Sequence, residues 1–173
     1  MELITADKLT YSAFADMIDD YAVAGTPFLG ITDPSLFAYF VRTCIKHAAG
    51  IGLSAKTSPY TRYFLTDKTG TIFAQGDLRH RETQHNLLFA GQLGYGVPPS
   101  HRKCGYGTMI CAKLLEKAAA RGFSNIIITC RDDNLGSAKI IEKNGGILLN
   151  KIYNKEDHIH MRRYKVDLSN YAK

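Results

Sequence analysis

A basic, glycine-rich turn between an apolar strand and a helix constrains the fold of this chain most. The strand predicted over residues 89–97 must end at Pro98-Pro99, because proline donates no hydrogen bond to a sheet. The turn reads RKCGYG over residues 102–107, and a helix is predicted over residues 108–121. N–H groups in the first turn of a helix lack intrahelical partners, and glycines let an anion approach them closely. This order of elements predicts a diphosphate site.

The glycine spacing excludes two common phosphate-binding loops. A Walker A loop requires Lys and then Ser or Thr after its last glycine, whereas Gly107 is followed directly by Thr108. A dinucleotide-binding turn requires G-x-G-x-x-G, and the run that begins at Gly94 has Pro99 in the last position. The pattern that remains is R-x-x-G-x-G.

That pattern resembles the acetyl-CoA signature of the GCN5-related N-acetyltransferases (GNAT). The resemblance continues, after one helix and one strand, with Asp133-Asn134, Ser137 and the run EKNGG over residues 142–146. It is close over about 55 residues and looser over residues 62–166. The turn alone would be a weak signal, but the Pro-Pro strand end before it and the second motif after it make the resemblance specific.

The resemblance implies an α/β (α+β) fold of the GNAT-like acyl-CoA N-acyltransferase type. Its central sheet is mixed and mostly antiparallel, with six or seven strands and about four helices. The strand–helix–strand order of the residues predicts that strands 4 and 5 are parallel, and the resemblance implies that they splay apart to admit the cofactor. We expect a single domain over residues 1–173. Its helical part, residues 1–60, would shape the acceptor site, residues 61–146 would form the core with the acetyl-CoA site, and residues 147–173 would form a C-terminal hairpin.

Hydrophobic periodicity and turn residues supply the remaining elements. They predict helices over residues 9–24, 33–49 and 135–144, and strands over residues 1–5, 60–66, 71–78, 126–130, 147–153 and 159–166. A polar loop is expected over residues 79–88. The apolar phase switches within the last strand, which predicts a bulge at Arg162-Arg163.

Charge is distributed unevenly along the chain. Residues 1–80 carry seven Lys and Arg against eight Asp and Glu, and residues 81–173 carry 15 against eight. Basic surroundings raise the local concentration of a polyphosphate ligand, which fits a site in the second half. The dense basic stripe with interleaved aromatic residues that is typical of nucleic-acid-binding domains is missing, so nucleic acid is not the expected partner.

Composition also bears on location. No apolar run approaches ~18 residues, and the first residues lack the basic-then-apolar pattern of a signal peptide. The four cysteines show no paired spacing. We therefore expect a cytoplasmic protein with no membrane contact, no disulfides and no metal site.

The resemblance, carried over residue by residue, implies specific cofactor contacts. The backbone amides of Lys103, Gly105, Gly107 and Thr108 would hold the diphosphate, with positive charge from Arg102 and Lys103. The rest of the expected acetyl-CoA site consists of Gly96, Val97 (which would pair with the pantetheine), Cys104, Tyr106, Asn134 and Ser137. Helix capping explains Asn134 and Ser137 equally well, and it is compatible with binding.

The implied reaction is transfer of an acetyl group from acetyl-CoA to a primary amine by direct attack on the thioester. A backbone N–H within residues 94–97 would stabilise the oxyanion. The amine must first lose a proton to a base. By their position in the polar loop before strand 4, the candidates for that base are Glu82 first, then His80 and His85.

One position departs from the family pattern. Many members have a tyrosine seven residues after the asparagine, where it acts as general acid, and here that position is Ile141. A proton for the leaving thiolate must then come from elsewhere, with water and Tyr95 as candidates, or the tyrosine route is absent.

Two other function classes stay open on the sequence: a non-catalytic CoA or nucleotide sensor and, behind it, a nucleic-acid-binding domain. The acceptor could be a small molecule or a peptide. The sequence leaves open whether the donor is acetyl or a longer acyl group, and whether the protein is a homodimer.

Overall fold

The computed structural model describes residues 1–26, 28–29, 31–54 and 57–171, and within them the chain forms seven strands and four α-helices. The strands are β1 (Glu2–Thr5), β2 (Tyr60–Thr66), β3 (Ile72–Arg79), β4 (Leu93–Gly96), β5 (Asn125–Arg131), β6 (Ile147–Asn154) and β7 (Ile159–Asp167). The helices are α1 (Tyr11–Val23), α2 (Phe37–Ala48), α3 (Tyr106–Ala120) and α4 (Leu135–Lys143). Of the described helices, none combines the length and the apolar character needed to cross a bilayer.

All seven strands join one mixed sheet in the order β1-β2-β3-β4-β5-β7-β6. β4 and β5 are parallel neighbours, and the other neighbouring pairs are antiparallel. The predicted α/β fold with a parallel central pair is therefore confirmed.

Each face of the sheet is covered by one pair of helices. On one face, Ile110 and Leu114 of α3 are fully buried with Leu65 of β2. On the other face, Phe14 of α1 is buried against Phe64 of β2 in a second core. Successive strand residues point to opposite faces, so the neighbours Phe64 and Leu65 serve the two cores. Each such side chain contributes about 1.5–3 kcal/mol by burial.

The parallel strands β4 and β5 separate after a short contact. Their register contains one aligned pair, Leu93 with Ile128. Next to it, the Gln92 N–H donates to the Ile127 carbonyl at 2.8 Å, and the Gln92 side-chain Oε1 accepts from the Ile127 N–H at 2.6 Å. Beyond Leu93 the two strands diverge, as the resemblance implied.

The strand predicted over residues 89–97 is wrong in its first half. Asn86–Ala90 form a π-helical turn, Gly91 has a φ of +66°, and β4 covers Leu93–Gly96 only. Side chains donate to the carbonyls of this turn: Arg163 to Leu87 at 2.9 Å, Thr129 to Phe89 at 2.8 Å and Arg79 to Ala90 at 3.3 Å. These donors come from distant segments, so the local alternation of apolar residues did not reveal the turn.

The bulge predicted at residues 162–163 is also misplaced. The register shift lies on the neighbouring strand β6, between Leu148 and Asn150, whereas β7 pairs with β5 without interruption. Met161 and Tyr164 stand an odd number of residues apart and therefore face opposite sides of the sheet. The apparent change of phase reflects half-buried side chains on one face and buried ones on the other rather than an inserted residue.

Three helices begin at other residues than predicted, and the first of them, α1, begins at Tyr11 rather than at residue 9. The helix expected over residues 33–49 starts as a 3-10 turn, Pro34–Leu36, and α2 follows from Phe37. The predicted N-cap is correct for that turn, because Asp33 accepts a hydrogen bond from the Ser35 N–H at 2.8 Å. α3 begins at Tyr106, two residues before the predicted start, so the glycine-rich turn leads directly into it.

Candidate active site

The turn before α3, which we call the cradle (residues 102–108), exposes a row of free main-chain donors. Among the described residues, none accepts a hydrogen bond from the backbone N–H groups of residues 103–108. Lys103 and Gly105 have φ values of +63° and +86°, a conformation that turns successive N–H groups into a concave nest. Gly105 is also the N-cap of α3 and provides no side-chain cap. These features fit a bound diphosphate.

A cavity of about 680 Å³ adjoins the cradle and extends from the C-terminal end of β4 to the first turn of α4. Of the residues predicted to bind the cofactor, those that line it are Gly96, Val97, Arg102, Lys103, Gly105, Gly107, Thr108, Asn134 and Ser137. The sequence analysis missed five further lining residues: Tyr21, His101, Gly136, Ile140 and Lys143. Tyr21 lies on α1, and no local pattern connects that helix with the cradle.

Two predicted cofactor residues of the cradle stand outside the cavity lining. Tyr106 packs its ring against Phe73, with centroids 4.7 Å apart, in a cluster that also includes His101. Cys104 is exposed, and its thiol donates to the Arg102 carbonyl at 3.4 Å. Their side chains support the shape of the turn, and any contact with cofactor through their main-chain amides stays a prediction.

Asn134 caps α4 at the far wall of the cavity, and Ser137 lies in the first turn of that helix. The Asn134 Oδ1 accepts from the Ser137 N–H at 3.0 Å. The capping interpretation is therefore confirmed for Asn134, whereas the Ser137 hydroxyl bonds Tyr95 instead. Cofactor contact by either residue, both of which line the cavity, stays a prediction.

Tyr95 links β4 to α4 across the split. Its hydroxyl lies 3.3 Å from the main-chain oxygen of Ser137, to which it donates, and 3.0 Å from the Ser137 Oγ. Burial raises the pKa of the Tyr95 hydroxyl far above its ordinary value, so the group stays protonated. Because its hydrogen is already directed at Ser137, Tyr95 is placed to hold the two elements together.

A second, smaller cavity of about 170 Å³ lies on the α1 and α2 face of the sheet. Gly94 and Gly96 of β4 pair with Asp77 and Gln75 of β3 on that face. A Cβ at Gly94 would meet open space, so the absence of a side chain at this position leaves the cavity clear. The two cavities share Tyr95 and Gly96 at the C-terminal end of β4.

A buried ion pair forms one wall of the second cavity. Arg62 donates to both carboxylate oxygens of Asp77, each at 2.7 Å. The Arg62 guanidinium is 9% exposed and lies within 5.9 Å of the ring centroids of Phe28, Phe40 and Tyr60. Burial opposes its charge, yet the hydrogen bonds and charge of Asp77 raise the Arg62 pKa above its ordinary value.

The candidate bases from the sequence lie away from both cavities. Glu82 accepts a hydrogen bond from the Gln92 Nε2 at 3.1 Å and thereby supports the root of the split. His80 bonds Thr61 at 2.8 Å, and burial, followed by the charge of Arg121, lowers its pKa. His85 is exposed and directly precedes the π-helical turn. None of the three bases lines the 680 Å³ or the 170 Å³ cavity, and their catalytic roles stay predictions.

Asp77 is the carboxylate that does line the second cavity, and the sequence analysis missed it. Nothing near it in the sequence marks it, since its partner Arg62 comes from the preceding strand. Only the antiparallel register of β2 and β3, which pairs residue 62 with residue 77, brings the two together.

Comparison with known proteins agrees with this geometry. A family model described as an acetyltransferase (GNAT) domain matches residues 38–147. The uncharacterized N-acetyltransferase YjdG of Bacillus subtilis (strain 168) is 41% identical over 61 residues. That match covers 35% of this chain and 36% of the length of YjdG, so the chain spans about a third of that relative.

Similar solved structures extend over nearly the whole chain. The Salmonella typhimurium acetyltransferase that modifies the N-terminal serine of ribosomal protein L7/L12 aligns with a TM-score of 0.67 at 16% identity, over 95% of this chain and 93% of its own. A mutant form of the spermidine N-acetyltransferase SpeG of Vibrio cholerae gives 0.63 at 11% identity, over 99% and 97%. The Salmonella typhimurium protein yncA, solved with its cofactor acetyl-CoA, gives 0.60 at 12% identity, over 99% and 96%. At these identities the likeness establishes the fold, and together with the family model it leads to one conclusion: the chain belongs to the GNAT acetyltransferase family.

Proposed function

We propose that the protein is an N-acetyltransferase that moves the acetyl group of acetyl-CoA to a primary amine of a small molecule or peptide. The observation that carries the proposal is the row of free N–H groups at the mouth of the split between β4 and β5. A pyrophosphate accepts hydrogen bonds from such a row, and Arg102 and Lys103 add positive charge beside it. Membership of the family supports the same activity.

Bound acetyl-CoA would supply an activated acyl group, and the task of the chain is to position it. Gly96 and Val97 line one side of the cavity and Asn134 and Ser137 the other, and these residues would enclose the pantetheine arm. A main-chain N–H within residues 94–97 would stabilise negative charge on the carbonyl oxygen. Each of these contacts uses a group that lines the same cavity.

The acceptor amine would enter from the second cavity, because that cavity meets the first at Tyr95 and Gly96. Arg62 and Asp77 neutralise each other in its wall. A polyamine carries several positive charges and would need further carboxylates to balance them. We therefore propose an acceptor with a single reactive amine, in contrast to the spermidine named for the Vibrio cholerae relative.

The base that takes the proton from the amine is also a proposal. Glu82, followed by His80 and His85, is a candidate base because of its position in the polar loop before β4. Asp77 is a candidate because it lines the second cavity. The pH profile of kcat/KM distinguishes them, measured for Glu82→Gln, His80→Gln and Asp77→Asn. The variant whose profile shifts identifies the base, and unchanged profiles in all three favour a water chain.

The test of the function begins with binding. Ligands that bind only the folded protein raise its thermal stability, so acetyl-CoA should raise Tm, and productive amines should release free CoA thiol in its presence. Binding of acetyl-CoA without transfer to any of a broad amine panel would instead favour a CoA sensor. Salt-dependent binding of RNA or DNA without any effect of acetyl-CoA would favour a nucleic-acid-binding domain.

We place this reaction in the cytoplasm and assign it to one domain. The unpaired spacing of the four cysteines fits a reducing compartment. The two cavities share β4 and draw on both halves of the chain, which supports a single domain.

A further inference from the structure

Tyr21 of α1 reaches the 680 Å³ cavity from the face of the sheet that α1 and α2 cover, which we call the acceptor side. It lines the 680 Å³ cavity and is 6% exposed. Its ring packs against Phe28, a wall of the second cavity, with centroids 5.4 Å apart. The Tyr21 side chain therefore stands between the two cavities.

The Tyr21 hydroxyl has a hydrogen that no described residue accepts. The Gln75 Nε2 donates to the Tyr21 oxygen at 3.0 Å in a buried contact. An amide nitrogen accepts nothing, so the hydroxyl hydrogen must point away from it. The Gln75 Oε1 is buried and lacks a partner within the described residues. Buried polar groups are nearly always paired, so this incomplete network indicates a place that a ligand completes.

The hydroxyl lies over the strand residue at which the cavities meet. A Cβ built at Gly96 would come within 2.5 Å of the Gln75 Nε2 and 3.5 Å of the Tyr21 oxygen. Glycine at this position leaves room for the pair to approach the main chain of β4. Any group bound along β4 at Gly96 therefore passes beside the Tyr21 hydroxyl.

The turn of α1 that carries Tyr21 is anchored to the loop after β4. The preceding residue, Asp20, accepts from the Ser100 N–H at 3.1 Å and from the Ser100 hydroxyl at 3.0 Å. This contact ties α1 to the 3-10 turn that leads into the cradle. Tyr21 is thus held from three directions, by Ser100 through Asp20, by Gln75 and by Phe28.

From this geometry we propose that Tyr21 is the proton donor to the sulfur that leaves when the thioester is cleaved. The inference depends on the proposed function. The amine nitrogen forms a bond to the acyl carbon as the C–S bond breaks, and the electron pair of that bond goes to sulfur. The phenolic proton of Tyr21 passes to the sulfur, the nitrogen loses a proton to water, and Tyr21 regains one from water. The products are an amide and the free thiol of CoA.

The surroundings keep this hydroxyl protonated until it is needed. Burial raises the Tyr21 pKa, while the Gln75 hydrogen bond and the charge of Arg102 oppose the rise and Asp20 adds to it. Tyr95, the other tyrosine at this site, already directs its hydrogen to Ser137. Tyr21 differs from Tyr95 because no described residue accepts its hydroxyl hydrogen.

The test compares affinities for CoA and desulfo-CoA, which lacks the sulfur, by calorimetry at ~pH 9, where alkyl thiols ionise. The wild-type protein should bind CoA about tenfold more tightly than desulfo-CoA, because a donor to the thiolate is a charge-assisted hydrogen bond. Tyr21→Phe should bring the two affinities together. Tyr11→Phe on the exposed side of α1 should keep the wild-type preference.

A second variant tests the orientation of the hydroxyl. Gln75→Glu replaces the amide donor by a carboxylate that accepts the Tyr21 hydrogen, so this variant should also lose the preference for CoA. Its Tm shift with acetyl-CoA should match that of the wild type, which confirms that the fold and the cradle are intact.

The outcomes separate this inference from the proposed function. An unchanged preference for CoA in Tyr21→Phe, together with wild-type kcat on an acetylated amine, would overturn the role of Tyr21 alone. Loss of the preference in a protein that acetylates no amine would overturn the function and, with it, the catalytic step. Loss of the preference with a lowered kcat and an unchanged KM for acetyl-CoA would establish both.

Discussion

The two sides of β4 hold their functional groups by different means. On the cofactor side, the donors are main-chain N–H groups of six consecutive residues, 103–108. On the acceptor side, the groups are side chains that meet across long stretches of chain. Gln75 and Tyr21 are separated by 54 positions, and Asp20 and Ser100 by 80.

This difference teaches which substitutions each side tolerates. A site built from main-chain groups depends on backbone conformation, so most side chains in the cradle can change, whereas a residue at positive φ cannot. A site built from paired side chains depends on both partners and can be altered one pair at a time. The acceptor side can therefore vary between relatives that share one cradle. The predictions below test that separation, beginning with the largest expected effect.

Arg62→Met tests whether a destabilising substitution on the acceptor side leaves the affinity for acetyl-CoA unchanged. It leaves the Asp77 carboxylate, which is 23% exposed, without its bidentate partner, so we expect the free energy of unfolding to fall by about 3 kcal/mol. Urea denaturation measures the change. The acetyl-CoA affinity of the folded protein should be unchanged.

Arg131→Met is the matched control, because it breaks an ion pair with Asp133 that is open to solvent. It should leave the urea midpoint at the wild-type value. If both variants lost the same stability, burial of the Arg62 pair would not be the cause, and a weakened affinity for acetyl-CoA in Arg62→Met would contradict the separation of the two sides.

Gly105→Val tests the main-chain origin of the cradle. A β-branched residue at a φ of +86° is strained and should pull the turn out of shape, which lowers acetyl-CoA affinity by about 30-fold, or about 2 kcal/mol. Isothermal titration measures this loss. Gly122→Val carries equal strain at a φ of +90°, and neither glycine has atoms within 4 Å of a built Cβ. Because Gly122 lies beyond the other end of α3, that variant should retain wild-type affinity.

Tyr95→Phe tests the link across the split. Loss of the hydrogen bond to Ser137 should lower the free energy of unfolding by about 1 kcal/mol. Hydrogen exchange should be faster in β4 and in the first turn of α4, while β6 and β7 are unaffected. A faster exchange spread evenly over the sheet would argue against a local link.

The smallest effect concerns pH. Burial lowers the pKa of His80 and of His47 in the folded protein, so the unfolded chain binds protons first as the pH falls through ~6.5. Stability should therefore decrease between ~pH 7.5 and ~pH 5.5. His80→Gln should flatten that decrease, and His47→Gln should remove a further part. A stability that rises on acidification would contradict the sign of both shifts.

Sequence reasoning could predict the cradle and the cavity beside it because their determinants are local. The proline pair that ends β4, the glycines of the turn and the helix that follows all lie within a short stretch, and each has a direct backbone consequence. The Asn134 cap could be predicted for the same reason. The parallel order of β4 and β5 followed from the helix that connects them, whereas their splay came from resemblance to a family.

The acceptor side could not be predicted in this way. The roles proposed for Tyr21 and Asp77 depend on partners that are distant in the sequence. Only the register of β2, β3 and β4 brings these partners close. The candidate base Glu82 illustrates the limit: its place in a polar loop was correct, but the buried amide of Gln92 turns its carboxylate toward the root of the split. The π-helical turn was missed for the same reason, since side chains from other strands bind its carbonyls.

Amide hydrogen exchange with and without acetyl-CoA tests the central claim most directly. If main-chain N–H groups bind the pyrophosphate, added acetyl-CoA should slow exchange at residues 103–108 by at least about tenfold, with weaker protection in β4 and the first turn of α4. Desulfo-CoA should give the same protection of the cradle. Protection confined to other segments, with residues 103–108 exchanging as fast as in the free protein, would contradict the account.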